Sequence, residues 1–185
     1  MKIGIFDLET SGFYADSSIL LCCSIKTYEK NDIKTVRADD FKTWSHNKSN
    51  EKEAIKAVWK LLEPYDILIA HNGEWFDKTY FNAKCMQYEL PPILRFKKSI
   101  DPVHLSRKHL KLGRNSLAAL IDYLKIPVKK TPIELDRWIR ASHDGNKVDM
   151  NFIITHCEYD VKTLEMVYDR LRKLVDKIDT KGSSY

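Results

Sequence analysis

Short apolar runs and helically spaced apolar residues alternate along the chain, and polar turns separate them. Runs of apolar residues predict strands at residues 2–8, 19–28, 33–37 and 67–70, with a fifth strand that ends near Ile100. Apolar residues at helical spacing, together with capping residues and prolines, predict helices at residues 51–62, 77–88, 101–110, 117–124, 132–141 and 149–177.

The order of these elements predicts the fold class. Three early strands precede a strand–helix alternation, and helices fill the second half, which indicates an α/β protein with a mixed sheet flanked by helices. A chain of 185 residues suits one domain, which we expect to span residues 1–178. Residues 179–185 are expected to form a mobile tail. Trp59 and Trp138 are expected to lie in the core.

Composition is that of a globular protein and does not indicate a particular function. The hydrophobic fraction is 43% and the charged fraction 31%, as in ordinary globular proteins. No apolar run approaches the roughly 18–20 residues that span a bilayer, so we expect no membrane partner and a cytoplasmic location. The cysteines, which form no C-x-x-C pair, are expected to be reduced thiols rather than zinc ligands or disulfides; they are Cys22, Cys23, Cys85 and Cys157.

Basic residues concentrate in one segment, although the net charge of the chain is only +5. Between residues 95 and 114 the only acid is Asp101, and the basic residues are Arg95, Lys97, Lys98, Arg107, Lys108, Lys111 and Arg114. Such a segment can attract phosphates, and it can equally be a solvated helix face.

Acidic residues stand at two places where strands are predicted to end. Asp7 and Glu9 are two residues apart on the first strand, so their side chains point to the same face and repel each other unless cations lie between them. The alternative is a strand end that reaches solvent. Asp77 follows a strand and the turn His71-Asn72-Gly73, at the start of a helix, where it could also be an N-cap.

A third acid lies inside the last predicted helix. Asp160 borders the apolar stripe of Cys157, Val161 and Leu164, and His156 lies one helical turn before it on the same face. A surface acid is the alternative interpretation.

Together these blocks resemble the three motifs of the DEDD family, the ribonuclease H-like 3′–5′ exonucleases. Residues Phe6 to Gly12 are similar to the first motif, His71 to Asp77 to the second, and Cys157 to Val161 to the third, in the family's order and separation. The segment 115–124 and the stretch after Trp138 also resemble a branch related to the proofreading domains of family B DNA polymerases. The resemblance implies a ribonuclease H-like mixed sheet of five strands, three antiparallel and the others parallel.

The same resemblance implies a two-metal site with two Mg²⁺ or Mn²⁺ ions. Asp7 would bridge both ions, Glu9 and Asp160 would complete the site that activates water, and Asp77 would serve the second ion. The implied activity is hydrolysis of single-stranded DNA or RNA from the 3′ end, releasing nucleoside monophosphates. Oxygen-only ligands suit Mg²⁺ or Mn²⁺ rather than zinc.

The third motif departs from the family pattern at one position. One subclass has Tyr four residues before the last Asp, and another has His five residues before it. Here the four-back residue is His156 and the five-back residue is Thr155. We expect His156 to act as the general base, because its ordinary pKa suits proton transfer near neutrality. A packing role is the alternative.

Contacts to the substrate rest on the resemblance and on side-chain chemistry. Leu8 and Thr10 would flank the 3′-terminal nucleotide, and Asn72 would either bind the substrate or brace its turn. Aromatic residues near the first two motifs could stack on a base or simply pack; they are Phe13, Tyr14 and Trp75.

Other functions remain open at the level of sequence. A catalytically silent nucleic-acid-binding module, a structure-specific endonuclease and a hydrolase of short oligonucleotides are all compatible with the same fold. DNA is slightly favoured over RNA because of the proofreading resemblance, and a polymerase or a replication or repair complex is a possible partner.

Overall fold

A computed structural model describes residues 1–128 and 134–175. The strands are β1 (Ile3–Thr10), β2 (Leu20–Thr27), β3 (Ile33–Arg37), β4 (Ile67–Ile69) and β5 (Lys98–Ile100). The helices are α1 (Lys42–His46), α2 (Lys52–Leu62), α3 (Asp77–Gln87), α4 (Pro102–His109), α5 (Leu117–Leu124), α6 (Leu135–Asp144) and α7 (Lys147–Leu171).

The five strands form one mixed sheet in the order β3-β2-β1-β4-β5. β1 pairs antiparallel with β2, and β2 pairs antiparallel with β3. β4 lies parallel to β1 and β5 parallel to β4. The predicted class and strand arrangement are thus confirmed, and β1, which carries two of the candidate acids, is the central strand.

The two faces of β1 pack against different helices. Phe6 and Leu8 lie in the cluster that α2 and α3 complete. Ile5 packs with Val161 and Leu164 of α7 on the other face. Because side chains alternate along a strand, Asp7 and Glu9 share the Ile5 face. The acids of β1 therefore face the helix that carries Asp160.

The ends of α7 differ from the prediction of residues 149–177. The helix begins at Lys147 because the side chain of Asn146 accepts hydrogen bonds from the backbone N–H groups of Val148 and Asp149. It ends at Leu171 and continues as a 3₁₀ turn over residues 172–174. Positions 176–177 of the predicted helix, the start of α6 predicted at residues 132–133, and the predicted tail lie outside the described residues.

The first helix was not predicted at all. Residues 46–50 were expected to be a polar stretch leading into α2, yet residues 42–46 form α1, whose Trp44 is only 2% exposed. One buried aromatic residue is enough to hold this short helix on the core, a tertiary effect that periodicity over five residues does not reveal.

Composition led us to expect reduced cysteines and no membrane-spanning segment. All four cysteines are buried and free. Within the described ranges, no helix has the length and apolarity required for a transmembrane span.

Candidate active site

The first two acids lie where β1 leaves its partner strand. Glu9 pairs with Cys22, but Thr10 pairs with Leu20, so one residue of β2 is bulged at this point. Such bulges bend a strand and redirect its side chains. Beneath Asp7, the thiol of Cys157 in α7 donates to the Asp7 carbonyl oxygen at 3.5 Å. The end of β1 is thus fixed directly on the helix that bears the third motif.

Asp77 is held against β1 from the other side. It is the first residue of α3 rather than its N-cap, and it is 3% exposed. Its Oδ1 accepts a hydrogen bond of 3.1 Å from the backbone N–H of Leu8, between the two acids of β1. This contact places the carboxylate of Asp77 beside those of Asp7 and Glu9.

The turn before α3 is fixed by a buried acid that sequence reasoning treated only as a helix start. The carboxylate of Asp101 accepts from the backbone N–H of Asn72 at 3.0 Å and of Glu74 at 3.4 Å, and it also caps α4 through Val103. A Cβ on Gly73 would lie 2.4 Å from the Cβ of Ala70, so the turn requires glycine there. The Asp-Pro start of α4 was the only sequence signal of this brace.

Asp160 and His156 meet on the α7 face that covers the sheet. Nε2 of His156 lies 3.5 Å from Oδ2 of Asp160 and 4.0 Å from Oε1 of Glu9. The imidazole is 8% exposed, and in the described part of the chain its Nδ1 is buried without a hydrogen-bond partner. A neutral ring with its proton on Nε2 would donate toward the two acids, whereas one with its proton on Nδ1 would leave Nε2 free to accept a proton.

A tryptophan joins the site through a polar contact. Trp138 of α6 is 9% exposed and packs in the core, as expected, but its indole Nε1 also donates to Oε2 of Glu9 at 3.0 Å. Its ring stands edge-on to His156, with centroids 5.7 Å apart. Sequence reasoning missed the hydrogen bond, because the two partners are 129 positions apart and no local pattern links them.

All four carboxyl groups have pKa values above their ordinary range. Burial raises the pKa of Asp7 most, and the charges of Glu9, Asp77 and Asp160 raise it further. Burial raises the pKa of Glu9 to about 8, against the lowering effect of the Trp138 hydrogen bond. Burial likewise raises the pKa of Asp77 to about 7, and it raises that of Asp160. The acids interact electrostatically, so the structure brings the predicted four together.

The donor chemistry of this group fits hard divalent cations, although the ligands are not closed around a common point. Among residues 1–128 and 134–175, no three His, Cys, Asp or Glu side chains stand ready to hold a metal ion. Glu9 is engaged by Trp138, Asp77 by the Leu8 N–H, and Asp160 lies against His156. Crowded, buried carboxylate oxygens are nevertheless the ligands that Mg²⁺ and Mn²⁺ prefer, and a cation relieves their repulsion.

The predicted substrate contacts fall into two groups. The side chain of Leu8 lies in the core and its N–H bonds to Asp77, so neither group is available to a substrate. The hydroxyl of Thr10 donates to the Gly12 carbonyl oxygen at 2.6 Å and shapes the turn after β1. The described hydrogen bonds of these two residues therefore hold Asp77 and the turn after β1 in place.

The other predicted contacts are exposed to solvent. Asn72 is exposed and adopts a left-handed backbone with φ of 60°, within the turn that Asp101 braces. The aromatic residues near the two motifs are largely solvent-facing, namely Phe13 at 84%, Tyr14 at 74% and Trp75 at 77% exposed. Of the three, Phe13 also packs edge-on against Phe76, with ring centroids 6.3 Å apart, so stacking on a base stays a prediction.

The basic segment lies against the turn that precedes Asp77. Nε2 of His71 hydrogen-bonds the carbonyl oxygen of Asn115 at 3.0 Å, and the Ser106 hydroxyl donates to Oδ1 of Asn115 at 2.8 Å. Burial lowers the pKa of His71, the charge of Asp101 and the Asn115 hydrogen bond raise it, and the charge of Arg107 lowers it. The helix that carries Arg107 is thus tied to the second motif through Asn115.

Comparison with known proteins agrees with this architecture. A family model described as the RNase_H superfamily matches residues 5–172. The structure of the family B DNA polymerase from the hyperthermophilic archaeon Pyrobaculum calidifontis superposes with a TM-score of 0.73 at 11% sequence identity, over 92% of this chain and 24% of the polymerase chain. The chain therefore spans about a quarter of that polymerase, and the likeness establishes the fold. No curated protein sequence matches significantly. The chain belongs to the RNase H superfamily.

Proposed function

We propose that this protein is a metal-dependent 3′–5′ exonuclease that releases nucleoside monophosphates from single-stranded nucleic acid, with DNA favoured over RNA. The observation that carries the proposal is the convergence of four acids from β1, α3 and α7, whose pKa values are all raised. Asp77 is buried and the other three are half-buried. A protein that only bound nucleic acid would gain nothing from so unfavourable a cluster of negative charge.

Asp7, Glu9, Asp77 and Asp160 would hold two Mg²⁺ or Mn²⁺ ions. When bound, such ions supply Lewis-acid stabilisation of a phosphodiester and acidify a nearby water. The protein's own contribution is the placement of the four carboxylates: Asp7 centrally on β1, Asp77 beside it through the Leu8 N–H, and Glu9 and Asp160 on the side of His156.

His156 is proposed to accept the proton of the attacking water. Its Nε2 faces Glu9 and Asp160 rather than solvent, which is the place a base needs to occupy. As a base, the neutral ring would carry its own proton on Nδ1, which has no hydrogen-bond partner among the described residues, and would leave Nε2 free to accept. A base would give a pH–rate profile with an acidic limb that His156→Ala removes, whereas a mere donor would leave that limb in place.

The surroundings of the acids support a single-stranded substrate. Exposed rings of Phe13 and Trp75 offer stacking surfaces for unpaired bases, which do not depend on sequence. Arg107, exposed on the helix that Asn115 ties to the His71 turn, offers positive charge to the phosphate backbone. Neither feature reads a 2′-hydroxyl, so DNA and RNA are compared directly in the test.

The test is digestion of 5′-labelled single-stranded DNA and RNA of equal sequence with Mg²⁺ or Mn²⁺. The proposal predicts a ladder that shortens one nucleotide at a time from the 3′ end. A circular single strand of the same sequence is the matched control, and it should stay intact. Cleavage of the circle would establish an endonuclease instead, and no cleavage of any substrate would leave a binding module.

A further inference from the structure

We propose that Trp138 is a positioning residue that orients the Glu9 carboxylate for divalent-cation binding, an inference that rests on the proposed function. Trp138 belongs to none of the three motifs. It lies on α6, between the second and third motifs along the chain. Its link to the site is the 3.0 Å hydrogen bond from indole Nε1 to Oε2 of Glu9.

The hydrogen bond gives the two carboxylate oxygens of Glu9 different partners. An indole can only donate, and a buried N–H without an acceptor is costly, so Nε1 keeps its hold on Oε2. Oε1 is then the oxygen on the side of His156, where Nε2 lies 4.0 Å away. The side chain of Glu9 is only 14% exposed, so few other orientations are open to it.

The donor itself is rigidly placed. The Trp138 ring makes edge-to-face contacts with two rings of α7, that of His156 at 5.7 Å and that of Phe152 at 6.3 Å between centroids. Farther along α6, Arg140 binds both carboxylate oxygens of Asp149, a residue of α7, at 2.6 and 3.0 Å. The helix that supplies the indole is therefore clamped to the helix that supplies Asp160.

This arrangement has the form of an outer hydrogen bond that orients a metal ligand. Removing such partners typically lowers metal affinity about 10- to 100-fold, because the ligand then samples unproductive orientations. An indole used only for packing would need no carboxylate acceptor and would leave metal affinity unchanged when its N–H was removed.

The first experiment measures Mn²⁺ binding by isothermal titration calorimetry, without substrate. Trp138→Phe keeps an aromatic ring and deletes the donor. Trp59→Phe is the matched control, because Nε1 of Trp59 also donates one hydrogen bond, at 2.9 Å to the carbonyl oxygen of Pro91, away from the acids. We expect Trp138→Phe to weaken Mn²⁺ binding about tenfold or more and Trp59→Phe to change it less than about twofold.

A double-mutant cycle with Glu9→Gln separates positioning from packing. If Trp138 acts through the Glu9 carboxylate, Trp138→Phe has little further effect on Mn²⁺ binding in the Glu9→Gln background. An equal loss in both backgrounds would overturn the inference, as would unchanged binding by Trp138→Phe. If the wild type took up no Mn²⁺, the proposed function would fail together with the inference.

A second measurement needs no variant and so does not depend on folding of Trp138→Phe. The chain has four tryptophans, whose indole N–H groups each give one resonance in a ¹⁵N–¹H spectrum. Titration of the wild type with Mg²⁺ should shift the Trp138 resonance in step with binding and leave that of Trp59 in place. A Trp138 resonance that stayed fixed while Mg²⁺ bound would contradict the proposed contact.

Discussion

The buried acids make the metal-free protein less stable as the pH rises, and Glu9 gives the sharpest test. Burial raises the pKa of Glu9 from 4.5 to about 8 in the folded state. A carboxyl group with a raised folded pKa binds its proton more tightly when folded. Protonated Glu9 therefore stabilises the folded state. This stabilisation is complete below the pKa that Glu9 has in the unfolded chain, and it is lost as the pH rises through the pKa of Glu9 in the folded protein. The window therefore lies between roughly pH 4.5 and pH 8.

The size of the effect follows from these two pKa values. At pH 5 the unfolded chain has only begun to release the Glu9 proton, so the loss of stability is below about 1 kcal/mol. At pH 7 the unfolded chain has released it and the folded chain has mostly kept it, a difference of about 3 kcal/mol. Glu9→Gln removes this titration and keeps an oxygen that can accept from Trp138.

The assay is urea unfolding followed by circular dichroism between pH 5 and pH 8 in chelator. The stability advantage of Glu9→Gln over the wild type should grow by roughly 2 kcal/mol from pH 5 to pH 7. Glu63→Gln, at an exposed position, is the control and should stay within about 0.5 kcal/mol of the wild type at each pH. Saturating Mn²⁺ should stabilise the wild type at pH 8. An advantage of Glu9→Gln that did not change with pH would refute the reasoning.

Four further substitutions test other parts of the account. His156→Ala should slow cleavage about 100-fold and remove the acidic limb of the pH–rate profile, as measured in single-turnover assays. Asp77→Asn, which can still accept from the Leu8 N–H, should abolish measurable cleavage while leaving a folded protein by circular dichroism. Lys84→Met strips the cation from the buried Glu51 carboxylate and should cost about 3–5 kcal/mol in urea unfolding. Asp101→Ala deletes a helix cap and the brace of the His71 turn; it should cost at least about 1 kcal/mol and also slow cleavage.

The features that could be predicted from the sequence are those that depend on residues close together along the chain. Asp7 and Glu9 share a face because strands alternate, and Asp160 shares a face with His156 because helices repeat every 3.6 residues. Three early strands and later strand–helix units indicate a mixed sheet flanked by helices, and the motif resemblance implies five strands, three antiparallel and the others parallel. Local periodicity thus locates the elements, whereas the resemblance joins the four acids in one predicted site. The structure brings those acids together on the central strand and two helices.

The features that escaped prediction are contacts between distant parts of the chain. Trp138 and Glu9 are 129 positions apart, and each side chain alone has a simpler interpretation, as a core ring and as an acid. Lys84 and Glu51 form an ion pair in which both side chains are almost fully buried, and no local pattern links the two positions. Polar groups buried by tertiary packing leave no periodic signal, so only the structure reveals their partners.

The four acids are proposed to drive cleavage from a 3′ end. The deciding measurement is the rate of release of the first 3′ nucleotide from single-stranded DNA in Mn²⁺, for the wild type, Asp7→Ala and the control Asp122→Ala at an exposed site on α5. We expect release by the wild type and by Asp122→Ala at similar rates, and none by Asp7→Ala. Equal release by Asp7→Ala, or no release by the wild type, would contradict this proposal.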